Sequence, residues 1–279
     1  MTDASEWTGR VGDAWAEQWR RTDAGFADLA GHLDSAIRRA APATPTTGVA
    51  IDIGCGAGTT SISLATARPD LGITGVDLSP ALIAVARERG AGHPNLTFIQ
   101  GSIQSVLPSL SPASLLFSRH GVMFFDDPVA GLSSLRNAAA PGSALVFSCF
   151  RAPDDNPWAS EVGAAITGTP APRAEGYAPG PFAFADPVFV GDVLAAAGWQ
   201  SDAPVAVDFR YRAGAGPDPV DDALDFFGSI GPAAPLLRAA PVESRALMLY
   251  RLRGVVERHA SADAVDFPAA AWLWSARAA

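Results

Sequence analysis

The chain contains no lysine; all 20 of its basic residues are arginine. Reactions that need a lysine amine or ammonium are thereby excluded, among them pyridoxal phosphate and Schiff-base chemistry, the P-loop NTPases and the protein kinases. Cysteine is nearly as scarce. Cys55 and Cys149 are too few and too far apart for a disulfide scaffold or a zinc site, and are expected to be reduced, packed side chains. Basic runs are also missing, and a net charge of −9 disfavours a nucleic-acid partner. Although 48% of the residues are hydrophobic, no uninterrupted apolar run approaches membrane-spanning length, and the acidic start Met1-Thr2-Asp3-Ala4-Ser5-Glu6 lacks a signal-peptide apolar stretch. The expectation is a cytoplasmic monomer or homodimer with no membrane partner. Its 279 residues allow one main domain plus a cap or insertion.

What is present begins with Val49-Ala50-Ile51-Asp52-Ile53-Gly54-Cys55-Gly56-Ala57-Gly58, a short apolar strand running into three alternate glycines with a carboxylate inside it. Glycines at that spacing let backbone pass close to a nucleotide-like ligand, because no Cβ intervenes. A dinucleotide pyrophosphate favours helix N-terminal N–H groups without a nearby anion, whereas Asp52 suits a cation. The dinucleotide pattern also requires glycine at 59, where Thr59 stands. A second apolar stretch, Leu71 to Val76, ends in Asp77, at the distance where an acid holds a ribose diol in either cofactor class.

With Asn95 to Gly101 as a third strand, the chain resembles the class I S-adenosylmethionine-dependent methyltransferases. The likeness is carried by Ile51 to Gly58, by Gly75-Val76-Asp77-Leu78-Ser79 and by Phe117-Ser118-Arg119-His120-Gly121-Val122-Met123-Phe124-Phe125-Asp126-Asp127-Pro128. It implies an α/β fold: a doubly wound, mostly parallel, seven-stranded Rossmann-like sheet, with an N-terminal helical cap and C-terminal helical insertions.

The punctuation of the chain agrees. Residues 1–40 read as the cap, with a helix of about five turns starting after Asp23 as its N-cap. Residues 41–47 read as a helix-breaking linker, and 48–279 as the sheet domain, with insertions at 151–185 and 213–262 forming a lid over the acceptor. Ser79-Pro80 and Asp127-Pro128 start helices. Strands four and five run Ala113 to Ser118 and Ala144 to Phe150. Helices between strands imply right-handed crossovers, and ligands at the carboxyl ends of the strands. Alternation over Val205 to Arg212 predicts a strand with one wet face, and Ala270 to Ala276 could return as the last, which the resemblance makes antiparallel.

The resemblance also assigns roles. Asp52, Gly54, Cys55, Gly56 and Gly58 would hold the methionyl part of S-adenosyl-L-methionine, Asp77 with Leu78 the ribose, and Ser102 and Ile103 the adenine. Ser118, Arg119 and His120 would face the methyl group. Relatives commonly carry Asp where Ser102 stands, and a hydroxyl accepts a hydrogen bond less strongly than a carboxylate. His120 is the candidate catalytic base, or else stacks on the acceptor. Arg119 would bind an acceptor carboxylate or pair with a structural one. Trp15, Phe124 and Trp158, with Phe125, Phe182, Phe184, Phe226 and Phe227, would line an acceptor pocket unless they are simply core. No metal is expected beside Ser118, Arg119 and His120. The expected activity is methyl transfer to a small organic acceptor by direct displacement. A nicotinamide-dependent oxidoreductase and a cofactor-binding protein without transfer remain the alternatives.

Overall fold

The computed structural model describes residues 4–43, 49–110, 112–170 and 176–278. Four helices come first: α1 (Ala4–Trp7), α2 (Arg10–Glu17), α3 (Trp19–Gly25) and α4 (Ala27–Ala40). Strand and helix then alternate through β1 (Val49–Ile53), α5 (Thr59–Ala67), β2 (Ile73–Asp77), α6 (Pro80–Gly90), β3 (Leu96–Gln100), α7 (Ile103–Leu110), β4 (Ala113–Arg119), α8 (Pro128–Ala138) and β5 (Ala139–Phe150). The remainder comprises α9 (Pro157–Thr167), α10 (Pro187–Ala196), β6 (Trp199–Ser201), β7 (Val205–Ala215), α11 (Pro219–Ser229), α12 (Ala233–Ala239), α13 (Val242–Arg258) and β8 (Ala264–Ala278).

β1 to β5 are parallel, in the order β3-β2-β1-β4-β5, and β8 runs antiparallel beside β5. The sheet has eight strands rather than seven. The extra one arises because the outer lane is broken: β6 pairs with residues 276–278 of β8 and β7 with residues 264–273, along one side of it. β8 is therefore longer than the Ala270 to Ala276 expected, since it spans both pieces. The central strands are apolar on both faces, and Ile51, Leu115, Leu116, Phe117, Leu145, Val146 and Phe147 are all fully buried, as helices on both sides of a parallel sheet require.

The helix starts follow the sequence. Ser79 accepts from the Leu82 N–H, Asp127 from Ala130, and Asp186 from Val188, each with proline at the first helical position. Asp23 departs from its assigned role. It lies inside α3, α4 begins after Phe26 without a side-chain cap, and the Asp23 carboxylate reaches across to other elements. Most of the 41–47 linker lies outside the described residues. Both cysteines are buried and unpaired. Among the described residues no helix is long and apolar enough to cross a membrane, and no three His, Cys, Asp or Glu side chains cluster as metal ligands.

Candidate functional site

A cavity of about 660 Å³ opens at the carboxyl ends of β1, β2, β3 and β4, under α1, α2 and α3. One half is polar. Gly54 and Gly56 carry φ of +64° and +54°, a region that glycine enters without Cβ strain. Their turn is pinned by Cys55 N–H to Val76 O (3.0 Å) and Gly56 N–H to Asp77 Oδ2 (2.9 Å), while Asp77 Oδ1 accepts from Ser79 N–H (2.9 Å). Burial raises the Asp77 pKa, against the pull of these backbone donors. Each oxygen keeps lone-pair capacity for a hydroxyl.

Asp52 is 1% exposed, and Ser61 Oγ donates to its Oδ2 (2.6 Å). Its Oδ1 is buried with no partner among the described residues, and burial pushes this carboxyl up to about 7, with Ser61 and Arg119 pulling the other way. An orphaned carboxylate oxygen in a cavity wall fits a cationic group of a ligand. Further along, Leu78, Gly101, Ser102, Ile103 and Gln104 line the same half. Ser102 Oγ accepts from Ser105 N–H (3.2 Å) at the first turn of α7, a capping role that accounts for a hydroxyl there.

The other half is aromatic. Trp7, Trp15, Trp19, Phe124, Phe125, Phe182, Phe226 and Phe227 line it. At its inner wall five rings close a circuit, with centroid distances of 5.2 Å from His120 to Phe26, 5.5 Å on to Tyr211, 4.9 Å to Trp158, 4.8 Å to Phe150 and 4.1 Å back to His120. His120 is the one non-glycine described residue at positive φ, +59°. The strain is over-determined by its N–H bond to Ser148 O (3.1 Å) and by Nδ1 against Ser148 Oγ (2.9 Å). Burial, helped by the Arg119 charge, pushes the His120 pKa down to about 3. The imidazole is neutral.

Of the residues assigned from the sequence, Asp52, Gly54, Cys55, Gly56, Asp77, Leu78, Ser102, Ile103, Trp15, Arg119, His120, Phe124 and Trp158 all line this one cavity. Three stand behind it. Gly58 starts α5 at φ +83°, where a Cβ would meet the Phe98 ring at 2.7 Å. Ser118 is fully buried and ties two turns, donating to Ile53 O (2.7 Å) and accepting from Gly121 N–H (3.1 Å). Phe184 packs against Phe147 in the core. Arg119 takes the structural alternative, pairing with Asp23 (3.3 Å). Asp23 also binds Arg89 (2.8 Å) and accepts from Thr59 Oγ1 (2.6 Å), so α3 is fastened to α5, α6 and the end of β4. Tyr211 and Phe26 were not assigned. Tyr211 stood on the inward face of the alternating strand, but nothing local placed that strand beside the cavity.

Residues 47–171 match the sequence model of a methyltransferase domain family. That stretch is similar to a methyltransferase domain. Malonyl-[acyl-carrier protein] O-methyltransferase of Halalkalibacterium halodurans is 33% identical over 103 residues, covering 36% of this chain and 38% of the relative. Trans-aconitate 2-methyltransferase of Methylobacterium nodulans is 33% identical over 95 residues, 34% of this chain and 35% of the relative. The matched stretch thus spans little more than a third of these curated relatives. Among solved structures, the YcgJ protein of Bacillus subtilis superposes at a TM-score of 0.56 with 14% identity, covering 88% of this chain and 98% of that one. A structure solved for the conversion of a disulfide bond into a thioacetal group during echinomycin biosynthesis gives 0.52 with 17% identity, covering 89% and 80%. The chain therefore shares its fold with proteins whose sequences have diverged widely, while the glycine turn and both acids lie within the matched residues.

Proposed function

We propose that the chain binds S-adenosylmethionine in the polar half of the cavity and transfers its methyl group to a small organic acceptor in the aromatic half. The observation that carries this is the buried Asp52 Oδ1, without a partner among the described residues, in the same cavity lining as the Asp77 carboxylate. A methionyl ammonium satisfies the first and a ribose diol the second, whereas a pyrophosphate would face two carboxylates. Ser102, Ile103 and Gln104 would border the adenine. When bound, the cofactor supplies an electrophilic methyl group on sulfur. The protein's part is to align acceptor and donor, with the aromatic walls excluding water. The relative named for trans-aconitate supports a small acceptor. The same reading makes this a cytoplasmic monomer or homodimer that acts on a free small molecule, without nucleic acid, membrane or metal.

Calorimetry with S-adenosylhomocysteine and with NAD tests it, followed by transfer of a labelled methyl group. One equivalent of the adenosyl compound should bind and NAD should not. Tight NAD binding would return the nicotinamide alternative; binding without transfer to any acceptor would leave a cofactor-binding protein.

A further inference from the structure

Ser148 is fully buried in β5, and among the described residues its hydroxyl has one hydrogen-bond partner, His120 Nδ1 at 2.9 Å. A buried hydroxyl proton needs an acceptor. If Nδ1 carried the imidazole proton, the Ser148 proton would have none. Fewest groups are left unpaired when Ser148 donates to Nδ1, which places the ring proton on Nε2. His120 Nε2 is buried, has no partner among the described residues, and belongs to a ring that lines the cavity. Across the aromatic circuit, Tyr211 lines the same cavity, is 4% exposed, and its hydroxyl bonds to no described residue. Burial holds that phenol above its ordinary pKa and the imidazole below its own, so both are neutral at pH 7.

We propose that His120 and Tyr211 are paired neutral donors that hold a carboxylate acceptor, with Ser148 as the positioning residue that fixes the His120 tautomer. This deepens the methyl-transfer reading and rests on it. An alcohol or an ammonium must give up a proton in the transfer, and the five rings of this circuit offer no group to take one, because Nε2 is already protonated and the Tyr211 phenol is neutral. A carboxylate arrives as a nucleophile. One C–O bond forms as the S–CH₃ bond breaks, the sulfur keeps the electron pair, the two opposite charges cancel, and no proton moves.

Phenylacetate and 2-phenylethanol share an aromatic body and differ in the carboxylate. Titrated into the full chain with S-adenosylhomocysteine, phenylacetate should bind at least tenfold tighter. Tyr211→Phe and Ser148→Ala should each erase most of that preference, while S-adenosylhomocysteine binding is kept. Nitrogen NMR of the imidazole should show the Nε2–H tautomer in the unmodified chain and a mixture in Ser148→Ala. Equal affinity for the two probes, weaker binding of phenylacetate, or an Nδ1–H tautomer would overturn the assignment. If the adenosyl compound itself fails to bind, the methyl-transfer reading falls, and the tautomer together with probe binding to the free chain still decides this one.

Discussion

In the proposed site, Asp52 should couple cofactor binding to proton release. In the free protein its carboxyl is buried, held at about 7, and half protonated at neutral pH. A bound ammonium beside Oδ1 favours the ionised form and pulls the pKa down, so binding expels the proton. With a free-state pKa of about 7, the expected release per cofactor is about 0.9 proton at pH 6 and about 0.1 at pH 8. Affinity should therefore rise about tenfold per unit up to about pH 7 and then level off. Calorimetry in buffers of different ionisation enthalpy reads the proton count directly. Asp52→Asn keeps the shape and the Ser61 contact, abolishes the release, and weakens binding at pH 8 by about 1.5–3 kcal/mol, the range for a charged hydrogen bond. Stability changes in the opposite sense. A carboxyl whose folded pKa is raised binds more protons folded than unfolded between about pH 4 and 7, so its contribution is complete below the unfolded pKa and is lost as pH rises through that window, at up to about 1.4 kcal/mol per unit. The melting temperature of the free wild-type chain, relative to Asp52→Asn, should fall across that interval. A proton count near zero at pH 6, or the same count in Asp52→Asn, would refute the reasoning.

Asp77→Asn should weaken cofactor binding by about 2–4 kcal/mol, because it removes a charged acceptor from the ribose and unsettles the Gly56 and Ser79 N–H contacts; isothermal titration checks it, and unchanged affinity counts against the site. Chelator should leave turnover unchanged, and loss in EDTA restored by magnesium would show a metal role. Gly12→Ala should lower the melting temperature and cofactor affinity together, by about 1–3 kcal/mol, since the new Cβ would lie 2.2 Å from Trp7 O and 2.4 Å from Ser79 Oγ. Deleting residues 1–22 should cost turnover more than it costs the sheet's stability, and hydrogen exchange should show α1 to α3 gaining protection with cofactor.

The polar half of the site was legible because its geometry is local. Glycines at 54 and 56 and acids at 52 and 77 sit at strand ends whose positions follow from βαβ connectivity. The ring circuit of the aromatic half is assembled from the α3–α4 junction, the end of β4, β5, α9 and β7, which meet only through long-range pairing, so Phe26 and Tyr211 carried no marker beyond apolar periodicity. Asp23 resembled a cap because an acid preceded a helical pattern, yet the turn between α3 and α4 is closed by backbone alone and the carboxylate serves tertiary contacts. Gly12 carried no marker either; it is a point of close approach between α2, Trp7 and the Ser79 cap of α6. The positive φ of His120 had no sequence signature, since that conformation is usually announced by glycine or asparagine.

The position of β8 sets an order on synthesis. β7 has one partner in the sheet, and that partner is made about fifty residues later. While the ribosome is still adding α11, α12 and α13, the parallel half from β1 to β5 can already be paired, but Tyr211 has no lane to stand in. In a nascent chain the glycine turn can therefore form well before the wall that carries Tyr211, which is complete only once residues 264–278 lie between β5 and β7.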